Sequence, residues 1–133
     1  MFNLRNKKGF TLVELMIVVV ILGILVAIAV PIYSAVKGRA EKNACHSNLR
    51  ILSSIAVQYY LNNDSYDGLI PNNNGVIEDL NEAESSLPAD FIDRFDNHHI
   101  PVCKNPEGKY KATRIDNTHI RFECTVHGRI NDD

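Results

Sequence analysis

The sequence predicts an α+β chain: one long N-terminal helix, apolar in its first half and amphipathic in its second, packed on a small antiparallel β-sheet head that ends in a C-terminal hairpin. Three observations carry the prediction. From Leu15 to Val30 every residue is apolar or glycine. Cys45, Leu49, Leu52, Ala56 and Tyr59 then recur at spacings of four, three, four and three, which is one stripe of a helix. Lys109 to Arg114 and Thr118 to Cys124 alternate apolar with polar residues on either side of a short polar connection, as the two arms of a hairpin do.

The apolar run decides how the N-terminal half is used. Counted from Phe10 it spans about 21 residues, enough at roughly 1.5 Å per residue to cross about 30 Å of hydrocarbon. Arg5, Lys7 and Lys8 precede it, and a carboxylate, Glu14, stands near its start. Three roles fit such a segment. As a secretory signal it would be cut after Ala27-Ile28-Ala29 and leave a chain beginning at Val30; the stretch is long for that role and Glu14 is out of place in it. As a plain single-pass anchor it would hold the basic residues in the cytoplasm and the remainder outside. Glu14 is then an unexplained cost of about 2 to 3 kcal/mol at the bilayer centre, and less near the edge. In the third role, cleavage between Gly9 and Phe10 creates an α-amino group one helical turn from Glu14, so that a cation arises in the carboxylate's own layer. This role is favoured because the cut site, the carboxylate and the apolar run coincide in it.

The short basic leader ending in Gly9, the run "GFTLVELMIVVVILGILVAIAVP" and the following Pro31-Ile32-Tyr33 resemble the type IV pilin superfamily, which includes type IV pilins and the pseudopilins of type II secretion and competence systems. The resemblance is specific over about the first 50 residues. It implies a leader at 1–9, a transmembrane and polymerisation helix at 10–31, an amphipathic helix at 32–62 and a head at 63–133. It implies that a prepilin peptidase cuts after Gly9 and methylates Phe10, and that Glu14 pairs with the N-terminal amine of a neighbouring subunit. The chain would then be a bacterial, single-pass protein of the cytoplasmic membrane. It would polymerise with copies of itself, through pilus or secretion machinery, into an extracellular filament. A pseudopilin of a secretion or DNA-uptake system is the alternative within the superfamily, and a tethered or secreted binding module the alternative outside it.

Beyond Val30 the helix continues to about Asn62, roughly 80 Å in all. Pro31 removes one backbone donor and should kink it, with Gly23 and Gly38 as further soft points. Asn62 to Gly75 reads as a loop and is followed by short helices near Val76 to Leu87 and from Pro88 to about Phe95. Asp90, Asp93 and Asp96 lack the spacing of a calcium loop, and a solvated acidic face is the favoured reading. Asn105-Pro106-Glu107-Gly108 has the composition of a type I turn. For the hairpin, a three-residue loop Ile115-Asp116-Asn117 is expected, pairing Tyr110 with Phe122 and Ala112 with Ile120 and placing Asn117 in a left-handed conformation.

Cys103 and Cys124 flank the hairpin, and a disulfide between them would close a loop of about 20 residues worth roughly 3 kcal/mol in an oxidising exterior. The segments "PVCKNPEGKY" and "CTVHG" also resemble the cysteine-containing C-terminal loop of pilin-like subunits. Three cysteines allow three single pairings, so Cys45 could compete, but its place on the apolar stripe favours a buried free thiol. Zinc held by Cys103, Cys124, His127 and either His98 or His99 is the minor alternative, because no Cys-x-x-Cys knuckle is present; no metal or other cofactor is assigned. The formal charge is −2, and without Arg5, Lys7 and Lys8 the 14 basic residues become 11 against 16 acidic, or −5, which disfavours a general nucleic-acid binder. Nine carboxylates and a single basic residue, Arg94, lie between Asn63 and His99, whereas six Lys and Arg face three carboxylates from Pro101 to Ile130. A solvated surface explains that asymmetry, and complementary faces between packed subunits are the sharper explanation. Lys104, Lys109, Lys111, Arg114, Arg121 and Arg129 would touch phosphate only if they shared one face, so nucleic acid is a weak candidate partner. Phosphate-binding glycine loops, nucleophile elbows and His-Glu-x-x-His pairs do not occur, so the expected function is structural and not enzymatic.

Overall fold

A computed structural model of the chain describes residues 9–70 and 75–130; residues 1–8 of the expected leader lie outside that description. The chain divides between Gly38 and Arg39 into two units. Helix α1, Leu12–Asn63, contributes to both and continues through Pro31, whose carbonyl accepts a 2.9 Å hydrogen bond from the Ser34 hydroxyl. In the first unit the helix is apolar on every side. Each large hydrophobic residue from Phe10 to Val36 is at least 45% exposed, and a helix of this kind has no core of its own to face.

The second unit is an α+β head whose core forms on the other half of α1. The stripe read from the sequence, Cys45, Leu49, Leu52, Ala56 and Tyr59, is buried, and Ile55 joins it. The helix stops at Asp64, which takes a left-handed φ of 53° while its N–H donates to the Tyr60 carbonyl at 2.7 Å. Just beyond, the N–H groups of Leu69 and Ile70 both donate to the Tyr66 carbonyl at 2.9 Å, a tight turn that drops all three side chains into the core. Helix α2, Leu80–Ala83, is capped by Asp79, whose side chain accepts from the N–H groups of Asn81 and Glu82. Helix α3, Ala89–Ile92, follows Pro88 and delivers Phe91 edge-on to Tyr59, with ring centroids 6.0 Å apart.

Three antiparallel strands complete the head in the order β1 (Val76–Ile77), β2 (Tyr110–Arg114), β3 (Ile120–Cys124). Strand β1 falls where the sequence suggests the start of a helix. Two residues carry too little local preference to specify a strand, and β1 exists because Val76 and Ile77 find Thr113 and Ala112 on the edge of β2. The register between β2 and β3 also differs from the expected one. Tyr110 pairs with Cys124, Ala112 with Phe122 and Arg114 with Ile120, a shift of two residues from the predicted partners. Such a shift keeps each side chain on its expected face, so apolar alternation could not distinguish the two registers. Local bonds in the longer loop distinguish them. The Asp116 carboxylate accepts from the Thr118 N–H at 2.7 Å and its hydroxyl at 2.8 Å, and the Ile115 N–H donates to the His119 carbonyl at 2.9 Å. Asn117 is not left-handed in this loop. The predicted turn is present before β2, where the Gly108 N–H donates to the Asn105 carbonyl at 3.0 Å.

The opposed charges meet within the head. Lys109 bridges Asp79 at 3.0 Å and Glu82 at 3.4 Å, Lys111 bridges Glu78 at 3.1 Å, and the nearly buried Arg114 bridges Asp67. Burial pushes the Asp79 carboxyl up, but the Lys109 ammonium and the two capping N–H groups outweigh it and hold the group below its ordinary range. With Arg129 also bound to Glu123, four of the six basic residues that would have formed a phosphate-binding face are engaged by the head's own carboxylates.

Candidate functional site

The first unit opens with a reciprocal cap. Thr11 precedes the first residue of α1 and Glu14 lies three positions on. The backbone N–H and hydroxyl of Thr11 donate to Glu14 Oε2 at 2.9 and 2.8 Å, and the Glu14 N–H donates to Thr11 Oγ1 at 3.2 Å. Two donors that a helix N-terminus otherwise leaves unmet are thereby satisfied. Glu14 is therefore a capped carboxylate in the single chain, exposed at the head of an apolar cylinder. Gly9 and Phe10 lie outside the helix, Phe10 is 79% exposed, and a Cβ built on Gly9 would meet nothing within 4 Å. The Gly9–Phe10 peptide bond is thus in non-helical, open chain, the condition under which a protease can reach it.

The second chemically distinctive place is in the head. Cys45 of α1, Cys103 ahead of the turn before β2, Cys124 at the end of β3 and His127 just beyond bring one ligand atom each to within 4.8 Å of one another. The three cysteines are unbridged thiols, and the disulfide expected between Cys103 and Cys124 is not formed, their sulfurs standing 3.7 Å apart. Burial pushes the Cys45 thiol up to about 12 and raises Cys103 as well. His98 and His99, the expected companions of these cysteines in a metal site, are engaged elsewhere. His98 lies 3.2 Å from Asp93, and His99 lies 2.6 Å from Glu84, whose carboxyl it holds below the ordinary range. Among the described residues Asp90, Asp93 and Asp96 do not converge as ligands, and Asp90 instead accepts from Asn63 Nδ2 at 3.1 Å.

Comparison with known proteins bears on the first of these places. Residues 4–30 match the prokaryotic N-terminal methylation motif. The chain has a prepilin-type N-terminus. It is 43% identical over 65 residues to the type IV major pilin protein PilA of Myxococcus xanthus, covering 49% of this chain and 29% of that protein. It is 42% identical over 62 residues to a fimbrial protein of Neisseria meningitidis serogroup B, covering 47% and 36% of the two chains. It is also 35% identical over 83 residues to the type II secretion system core protein G of Escherichia coli, covering 62% and 54%. The chain therefore spans about a third of the length of the pilins it matches and about half of the secretion protein. No solved structure matches it.

Within the prepilin-type segment the structure places Gly9, Phe10 and Glu14 together at the start of α1. Thr11 is the residue that the sequence reading overlooked, although Thr11-Leu12-Val13-Glu14 spells the capping box in its ordinary form. Cys45 was assigned to the core stripe, where it does lie, but its sulfur also joins the Cys103 and Cys124 cluster. No one-dimensional spacing announces a contact between residues so far apart in sequence.

Proposed function

We propose that the chain is a structural subunit of a type IV pilus filament. It is inserted in the membrane through the apolar part of α1, cut between Gly9 and Phe10, methylated on Phe10 and polymerised through the same helix, which Pro31 bends. One observation carries the proposal: a helix exposed and apolar on every side, headed by one carboxylate, lies on a matched methylation motif. Filament assembly gives that surface a partner. A charge brought into an apolar layer is costly unless an opposite charge meets it, so docking Glu14 against the new N-terminal amine of a neighbour selects the axial register as well as adding attraction. The cap adds a condition, since Glu14 must exchange or share its Thr11 bonds when it docks. A pseudopilin is the second reading, supported by the alignment of 62% of this chain with 54% of the Escherichia coli secretion protein.

Intact mass and N-terminal sequence of the protein from its own cell test the proposal. N-methylated Phe10 supports the pilin pathway, whereas an N-terminus at Val30 or an uncut Met1 removes it. Long sheared surface filaments would then favour the pilin over the pseudopilin.

A further inference from the structure

The geometry points to a structural zinc centre in the head, held by Cys45, Cys103, Cys124 and His127, and we propose that the folded chain binds one zinc ion there. The inference is independent of how the N-terminal segment is used. Its basis is the spacing of the ligand atoms. A tetrahedral zinc with Zn–S bonds of about 2.3 Å and a Zn–N bond of about 2.0 to 2.1 Å has S–S edges of about 3.8 Å and S–N edges of about 3.5 Å. The corresponding distances here are 3.7 Å between Cys103 Sγ and Cys124 Sγ, and 3.4 and 3.6 Å from those sulfurs to His127 Nδ1. Cys45 Sγ completes the set within 4.8 Å of every other ligand atom. A disulfide, by contrast, needs its sulfurs at about 2.05 Å and has no use for a third thiol or an imidazole.

The surroundings are those of a built site. Cys124-Thr125-Val126-His127-Gly128 folds into a tight turn in which the Cys124 N–H donates to the Gly128 carbonyl at 3.0 Å and the Gly128 N–H returns to the Cys124 carbonyl at 2.9 Å, with Gly128 at a left-handed φ of 70°. This is a knuckle whose second ligand is histidine, the arrangement that a search for Cys-x-x-Cys overlooks. Gly108 leaves room for Cys103: a Cβ there would stand 2.4 Å from the sulfur. His46 Nε2 lies 3.3 Å from the His127 carbonyl, tying the turn to α1. Three protein sulfurs and a nitrogen leave no open position, and all three cysteines are buried, so the site is structural and not catalytic. On binding, the three thiols release one proton each and His127 coordinates through Nδ1 as the neutral imidazole. No covalent bond other than S–H is broken. The metal would clasp α1, the loop before β2 and the end of β3 at one point, the role expected of a disulfide in a head this small.

The test uses the full chain, purified in detergent with its thiols reduced and without chelator. Elemental analysis and native mass spectrometry should find one zinc per chain. Cobalt exchanged for it should show the charge-transfer and d–d absorption of a tetrahedral thiolate site. Outer partners of zinc ligands are worth about 10- to 100-fold in affinity, so losing a direct ligand in Cys45→Ser or His127→Ala should weaken zinc binding at least about 100-fold. His99→Ala, outside the cluster, should leave it unchanged. His127 is the less buried ligand, and His127→Ala keeps the test decisive if Cys45→Ser fails to fold. The proposal is overturned by a reduced chain that takes up no zinc, by a native chain two hydrogens lighter with Cys103 joined to Cys124, or by a Cys45→Ser chain that binds zinc as tightly as the wild type does.

Discussion

Asp67 is half exposed and Arg114 is nearly buried, yet removing Asp67 is expected to cost the head more than replacing Arg114. Arg114 is 6% exposed and donates to four acceptors: the Asp67 carboxylate, the Ile70 carbonyl at 3.3 Å, the Asp116 carbonyl at 3.3 Å and Asn117 Oδ1 at 3.2 Å. Arg114→Met keeps the apolar stem and removes the charge. Asp67, with 54% of its side chain exposed, then rehydrates. What remains is mainly the orphaned buried carbonyl of Ile70, about 1 to 3 kcal/mol. Asp67→Ala does the reverse and strands a buried guanidinium among neutral oxygens. Breaking a buried pair in this way costs about 3 to 5 kcal/mol, and the exposure of Asp67 places the value at the lower end, about 3 kcal/mol. The double variant should cost less than Asp67→Ala alone, because the stranded charge is gone. Urea unfolding of the full chain in detergent, followed by the near-ultraviolet dichroism of the head's tyrosines, measures all three. An Asp67→Ala cost below about 0.5 kcal/mol, as for an ordinary surface substitution, would refute the reasoning.

Two further predictions concern the head. Leu49→Ala removes a fully buried side chain on the core stripe and should cost about 2 to 5 kcal/mol in the same unfolding assay, against less than about 0.5 kcal/mol for Leu61→Ala, whose side chain is exposed. The Asp116 carboxyl is held down to about 2 by the Thr118 N–H, the Thr118 hydroxyl and His119. A depressed carboxyl stabilises the fold above its unfolded value, about 4, and loses that contribution as pH falls through about 2. The stability difference between wild type and Asp116→Asn should therefore shrink as pH falls across that window; a difference that does not change with pH there would contradict the assignment.

The α+β class, the extent of α1, its buried stripe and the turn at Asn105 to Gly108 were legible because each rests on local periodicity or turn chemistry. What was not legible depends on contacts between distant segments. Strand β1 has no local signal and is created by the edge of β2. The hairpin register was determined only modulo two by apolar alternation, and the side-chain bonds of Asp116 settled the remainder. Arg114 reads in sequence as a surface charge, and only the fold shows it buried against Asp67. The same limit applied to the candidate sites. Gly9, Phe10 and Glu14 are neighbours in sequence and their proximity could be read directly, whereas Cys45 meets Cys124 only because α1 packs against the end of β3. The placing of Cys103 and Cys124 on either side of the hairpin is local and legible, whereas Cys45 is one of three possible pairing partners in sequence and only the fold sets its sulfur beside both.

The two roles open to Glu14 separate most cleanly in a comparison of Glu14→Gln with Glu14→Ala. In the single chain Glu14 completes a capping box with Thr11, and glutamine can occupy that position as glutamate does, accepting from the Thr11 N–H without carrying a charge. Alanine cannot, and losing a cap costs about 1 kcal/mol. If the cap were the reason for the residue, Glu14→Gln would assemble as wild type does and only Glu14→Ala would be impaired. Pairing with a neighbour's amine predicts otherwise. Close charge pairs across interfaces couple by about 1.5 to 7 kcal/mol. Even the lower bound is a tenfold loss of affinity per subunit contact, repeated along a filament. Both variants should then reach the membrane fraction, since removing a carboxylate only eases insertion, and both should yield no sheared filaments. Normal filaments from Glu14→Gln would assign Glu14 to the helix end and take the charge out of the assembly mechanism.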